Sequence, residues 1–251
     1  MQSVSALPFH IRGWAAWAPG LETEAAWRQW ATGRADKDAT PAAPAAPMPM
    51  SLRRRISPLG QAALRCAWGL PDAARSRIVS ASRHGEFGRT LSILDTLAVG
   101  ETVSPADFTL SVHHALAGLL SIAQGNRKGH VAVAAGPDSF GFGFLEAVAC
   151  LQERPSEPVV FLYYDEPLPQ PYDRFDRGAE QPLALALSLS ASGAGAGLAL
   201  GTATPRSAGG ADGAERSPGL TFLRFLLTEA TEASWPGARQ EWQWRRLAEA
   251  A

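Results

Sequence analysis

The stretch Phe108-Thr-Leu-Ser-Val-His-His-Ala-Leu-Ala-Gly-Leu-Leu-Ser-Ile-Ala123 runs straight on into Gln124-Gly-Asn-Arg-Lys-Gly-His-Val-Ala-Val-Ala-Ala-Gly-Pro-Asp-Ser139. It reads as a helix, a basic glycine turn, an apolar strand and a sharp turn into a second helix. Val131 to Ala135 is a short continuous apolar run, the pattern of a central strand buried on both faces. From Ser139 to Leu151, Phe140, Phe144, Ala147 and Leu151 fall on one helical stripe. The turn that joins strand to helix is made of Gly136, Pro137, Asp138 and Ser139, and none of them is a cysteine.

Working outward from this unit, Phe9 to Trp14 reads as a first strand, and Glu22 to Trp30 as a helix with Trp27 and Trp30 on one face. Ser57-Pro and Ser104-Pro both have the helix-start signature, a capping serine followed by proline at the first position. The first start opens a helix to about Trp68, with a second piece after Pro71-Asp72. The second leads into one helix over His113 to Ala123. Between them lie a strand at Arg77 to Ser82, a polar loop at Arg83 to Glu86 and a helix at Thr90 to Leu97. Beyond the central unit come a buried strand at Pro158 to Tyr164 and a proline- and aspartate-rich loop at Pro167 to Glu180. Two Leu/Ala-rich strands follow, then a helix at Pro218 to Thr228, and a polar tail helix at Glu241 to Ala250 bearing Trp242 and Trp244. Strands alternating with helices predict an α/β fold: a largely parallel sheet with flanking helices and an antiparallel edge. The chain reads as one domain over 1–251, with flexible loops near 33–50 and 202–217.

Composition narrows the class. With 46% hydrophobic residues, the 251-residue chain can bury a core without staples. Net charge is −1 and no basic stripe covers a face, which excludes nucleic acid as the main partner. Arg53-Arg54-Arg55 reads as a solvated helix start. Cys66 and Cys150 sit in apolar helical contexts, as small buried hydrophobes do. They form no disulfide framework or zinc spacing, which fits a reducing cytoplasm. Leu183 to Leu200 carries no charge, yet Leu183, Leu185, Leu187 and Leu189 alternate and Gly193, Gly195 and Gly197 follow. Two strands around a glycine bend account for this better than a membrane-spanning helix.

Candidate chemistry is sparse. His113 and His114 are adjacent on the expected helix, so their side chains diverge by about 100° and suit a core or interface better than a metal. Asp138 and Ser139, with His84, invite a serine hydrolase or acyltransferase reading, but Gly-x-Ser-x-Gly is absent and both residues could cap the next helix. Gly136, Gly141 and Gly143 make no dinucleotide fingerprint, and no Walker-type loop is present. The sequence calls for no cofactor and no metal.

This order of elements resembles the N-terminal half of the thiolase fold of β-ketoacyl synthases. Ile11-Arg-Gly-Trp-Ala-Ala-Trp-Ala-Pro-Gly20 looks like their opening strand and turn, and Trp27-Arg-Gln-Trp30 like the helix after it. Arg54-Arg-Ile-Ser-Pro-Leu-Gly-Gln-Ala-Ala-Leu64 resembles their Arg-Arg-Met-Asp-Arg helix start, and Ser104 to Ile122 the helix before the active-site strand. Ser111-Val-His-His-Ala-Leu-Ala-Gly118 is similar to a phrase typical of the β-ketoacyl synthase chain length factors of aryl polyene and xanthomonadin pigment clusters. The usual asparagine is His114 here.

The resemblance implies a thiolase-like fold and a non-catalytic subunit. In the family the turn after the strand presents the nucleophilic cysteine, and two histidines come from the C-terminal half. Here Gly136 to Ser139 form a degenerate elbow, and residues 201–251 hold no histidine. Cys150, about a dozen residues beyond the elbow, is roughly three helical turns too far to substitute. The implied partner is a full-length β-ketoacyl synthase, joined in a heterodimer. A carrier protein presents the substrate mainly to that partner. Phe108, His113, Leu116 and Phe140 are the implied tunnel or interface residues. A purely structural role as ketosynthase stabiliser is the remaining alternative.

Overall fold

The computed structural model describes residues 6–34, 49–175, 181–193, 197–204 and 217–248. Its strands are β1 (Leu7–Trp17), β2 (Arg77–Ala81), β3 (His130–Val133), β4 (Val159–Asp165), β5 (Leu183–Ser190), β6 (Leu198–Ala203), β7 (Glu232–Pro236) and β8 (Glu241–Arg246). Its helices are α1 (Glu24–Ala31), α2 (Met50–Arg53), α3 (Pro58–Trp68), α4 (Phe87–Ala98), α5 (Pro105–Ser111), α6 (Ala115–Gln124), α7 (Ser139–Glu153) and α8 (Pro218–Leu227). The strands form one sheet in the order β3-β2-β4-β5-β1-β6-β8-β7.

The α/β class is as read, but the sheet is mixed. Parallel pairing is confined to β3-β2-β4, and every other pair is antiparallel. Parallel neighbours need a long crossover. Only the β2-to-β3 and β3-to-β4 connections carry helices of that kind, namely α4–α6 and α7. β5 and β6, expected to pair with each other at an edge, instead flank β1 on its two sides. β1 changes partner midway. Leu7 to Phe9 pair with β6, and His10 to Trp17 with β5, with a register shift between Ile11 and Gly13.

That change of partner lets the sheet close over α7. One face of α7 meets β2 and β4 at Gly143, where an added methyl would run into Ala81. The other meets β8 at Gly141, where a methyl would run into the Trp242 indole. Glycine is required at both contacts because backbone and ring approach too closely for any side chain. α8 completes this side through Phe222, Leu223 and Phe225. A second core lies across the sheet, where α3 and α6 pack Leu64, Leu116 and Leu120 on β2, β4 and β5.

The expected Ser-Pro caps at Ser57 and Ser104 are present, and Ser217 adds a third that the sequence reading passed over. Ser57, Ser104 and Ser217 each accept from a backbone N–H three residues on. Other readings are corrected. The helix read over His113–Ala123 is α6 and starts two residues later, at Ala115; a separate helix, α5, precedes it and ends at Ser111 before the extended Val112 (ψ 149°). Ser111 Oγ donates to Phe108 O at 2.8 Å and so competes for the helix's last carbonyls. After Pro71-Asp72 there is only a 3-10 turn, Ala73–Arg75, with Asp72 in the left-handed region at φ 59°. The tail helix at Glu241–Ala250 is the strand β8. Trp242 and Trp244 are two apart, and both are buried on one face, which is the strand period. β3, read as central, is an edge strand whose residues are all half-buried. The loops read near 33–50 and 202–217 fall mostly on 35–48 and 205–216, outside the described residues. Thr202 and Ala203 belong to β6.

Candidate functional site

The elbow forms where β3 runs out and Gly136, at φ 60°, turns the chain into a 3-10 turn and then α7. Ser139 is buried at the start of α7. Its Oγ accepts from Ala135 N at 2.9 Å and donates to Gly136 O at 2.8 Å. Both bonds go to backbone, so the hydroxyl proton is spent on closing the turn and no base withdraws it. Asp138 is also buried, and its side chain does not cap α7. It reaches the turn between β7 and β8 instead. There it accepts from Ala238 N at 3.0 Å, Arg239 N at 2.9 Å and Trp242 Nε1 at 3.1 Å. Gly237 has to be glycine, since a methyl there would overlap the Asp138 carboxylate. A turn that could have displayed a nucleophile is thus turned inward as a fastener.

The thiols offer no replacement. Cys150 is buried on α7, where burial pushes its thiol up and Glu146 Oε1 accepts from Sγ at 3.7 Å. Burial pushes the Cys66 thiol up to about 12. Neither is a thiolate at neutral pH. Among the described residues, no group of three or more His, Cys, Asp or Glu is arranged to hold a metal. Among the described residues, no helix is long and apolar enough to cross a membrane.

Beside the elbow lies an open surface. β3 pairs only with β2 among the described residues. α6 packs on β3 and meets α5, and α4 and α5 form a helical pair without a single buried residue. Leu94, Leu97, Val99, Phe108 and Val112 are exposed there, and Ile122 of α6 is 80% exposed. The pair is held to the body by Arg89, which bridges to Asp107 Oδ1 at 2.6 Å and donates to Arg55 O at 2.8 Å. Beneath it is a polar layer at the carboxyl ends of β2 and β4. Glu86 accepts from Ser57 Oγ at 2.9 Å, and burial pushes its carboxyl up. Glu166 is pushed up by burial and then by the charge of Glu86.

The four residues implied as tunnel or interface separate into two pairs. Phe108 is 64% exposed on α5. His113 sits half-buried at the break before α6, its ring against Gly85 and its carbonyl accepting from Tyr164 Oη at 3.4 Å. Leu116 is 1% exposed and packs against Gly60 of α3. Phe140 is 1% exposed at the centre of an aromatic cluster with Phe144, Phe161, Tyr163, Phe222 and Trp244. His113 lies in the turn before α6 and Leu116 is buried within that helix, so they do not share one open face, and Phe140 fills the chain's own core. Sequence reasoning passed over Leu94, Leu97 and Val99. Their signal was a leucine pair three apart beside a valine in a helix whose polar residues cannot cover them.

The comparisons agree with this architecture. Residues 27–245 match the family model of the β-ketoacyl synthase N-terminal domain. A chain from the complex of the ketosynthase ApeO with its chain length factor ApeC, from Xenorhabdus doucetiae, is 28% identical. Its TM-score is 0.80, and the match covers 96% of this chain and 100% of that one. A chain from the ishigamide ketosynthase/chain length factor is 13% identical with a TM-score of 0.62, covering 78% of this chain and 67% of that one. A β-ketoacyl synthase from Burkholderia phymatum is 16% identical with a TM-score of 0.58, covering 89% and 71% respectively. The last two show the shared fold. No curated protein matches the chain in sequence. The match over residues 27–245, most of the chain's length, shows that this chain belongs to the β-ketoacyl synthase N-terminal domain family.

Proposed function

We propose that this chain is the non-catalytic chain length factor of a β-ketoacyl synthase heterodimer, of the aryl polyene type, acting in the cytoplasm. The observation that carries the reading is the elbow: it holds no thiol, and both of its polar side chains are bonded into the fold. The chain matched along its whole length in the Xenorhabdus doucetiae ketosynthase–chain length factor complex supports the same reading. The free edge of β3 and the exposed α4–α5 pair, linked through α6, are surfaces that a full-length ketosynthase can cover. Apolar patches of this kind mark interaction sites.

The action is steric. An acyl tunnel in the partner ends against this surface, and side-chain volume there limits the number of extensions. Phe108 is the first stopper and His113 lines the wall beside it. Leu116 holds that wall from behind, whereas Phe140 lies in the core across the sheet and does not reach it. The carrier protein docks mainly on the catalytic partner. Co-expression with the ketosynthase of the same source tests the reading. Phe108→Ala is expected to leave pairing intact and give a heavier, red-shifted product. Unchanged product length with intact pairing would leave only a structural stabiliser. Failure to co-purify would remove the heterodimer altogether.

A further inference from the structure

We propose that His114 and His130 make pairing along β3 sensitive to pH, so that acid weakens the complex with the ketosynthase. The inference rests on the chain length factor reading, which supplies the partner. His130 opens β3 at its unpaired edge. Its ring lies on the α6 side, with Nδ1 3.4 Å from Ser121 Oγ and Nε2 facing Gly118. His114, at the start of α6, sets its ring 5.3 Å from that of His130 at 66°. His130 is half-buried and His114 exposed.

Two imidazolium ions at this separation repel, and the partial burial of His130 adds a desolvation cost to its charged form. No carboxylate is paired with either ring among the described residues: Arg77, next to Ile78 on β2, faces Glu153 of α7 at 3.6 Å. α6 contributes the neutral Ser121, and β2 places Ile78 in register with His130. In the preceding turn Arg127 is exposed, and Lys128 is engaged with Glu157 at 3.2 Å. In keeping with this, burial first and the His114 charge second hold His130 below the ordinary imidazole range. A strand laid along β3 removes more water from both rings. The complex then carries fewer protons on this pair than the free chain, and linkage requires affinity to rise with pH. In the acidic range where the free pair is protonated, binding has to expel a proton.

The test uses the full chain and the ketosynthase of the same source, titrated at pH 7.5 and 5.5 at fixed ionic strength. For the wild type, Kd at pH 5.5 is expected to be about fivefold or more above that at pH 7.5. The partner's own titration acts equally on variants, so the ratio is compared with those of His130→Gln and the exposed His114→Gln, where it should fall. A ratio that is the same in wild type and both variants overturns the inference. Histidine proton resonances, followed against pH in the free chain and the complex, give a second readout. The His130 titration must move to lower pH on binding, and no movement overturns the inference. Absence of a complex at either pH overturns the partner reading itself.

Discussion

Asp138 receives three N–H groups, one of them an indole, in a place shut off from water. Removing the carboxylate strands all three donors. Asp138→Ala is expected to cost about 3–5 kcal/mol in chemical denaturation, with amide exchange accelerated first at the β7–β8 turn. Ser139→Ala loses a hydroxyl that bonds only to backbone, and should cost about 1 kcal/mol. Intact-mass analysis with an acyl thioester is expected to show no adduct on either the wild type or Ser139→Ala. An adduct lost in the variant would revive the acyltransferase reading. Glu86 makes a pH prediction. Its carboxyl is pushed up by burial, so the folded state holds this proton more tightly than the unfolded chain does. Stability from this group is full below the ordinary glutamate range and falls as pH rises through the raised value. Glu86→Gln, which keeps an acceptor for Ser57, should therefore melt close to the wild type at pH 4 and above it at pH 8. An equal margin at both values would show that the charge of Arg89 compensates the burial. Of these roles, the sequence disclosed only the absence of a cysteine in the turn. That Asp138 looks across to residues 100 positions later depends on the β7–β8 hairpin, which no local pattern predicts.

Helix α7 is gripped between two parts of the sheet at Gly141 and Gly143, whereas Gly118 on α6 meets only His130 Nε2, at 3.8 Å. The same substitution should therefore act in opposite directions. Gly141→Ala forces the Trp242 ring aside and is expected to destabilise by about 1–3 kcal/mol or more. Gly118→Ala adds an ordinary contact and removes a helix penalty, so it should stabilise by about 0.5–1 kcal/mol. Thermal melts of the two variants check this, and equal effects would mean that α7 is not gripped as described. At this scale the sequence was most legible where a local rule acts alone. Ser-Pro caps opened helices as read, and β2, β4 and β5 followed their apolar runs. It misled where tertiary context decides. An apolar run looks the same in an edge strand awaiting a partner as in a buried one, so β3 was read as central. Glu241 to Arg246 was weighed by its polarity rather than its period of two, so β8 was read as a helix.

At the level of the whole molecule, the last strands and α8 close over α7 and bury Leu198 and Leu200, so the surface left uncovered is smaller than half of a thiolase-type fold implies. The remaining open surface is β3 with α4, α5 and the outer side of α6. With the ketosynthase, light scattering is expected to give a 1:1 complex, with an obligate seam burying over about 2,000 Å². Alone, the chain should self-associate through that surface. A monomer that ignores the ketosynthase at all concentrations would contradict both expectations. β1 carries one more consequence. It is made ahead of the other described strands, yet it pairs with β5 and β6, far along the sequence, and joins the two parts of the sheet. At about 5–20 residues per second on the ribosome, this strand waits on the order of ten seconds or longer for its neighbours. Such long-range closure slows folding and exposes the unpaired strand to other chains in the interval. Yield in cells should thus depend on chaperone supply and growth temperature more than on the stability of the finished protein.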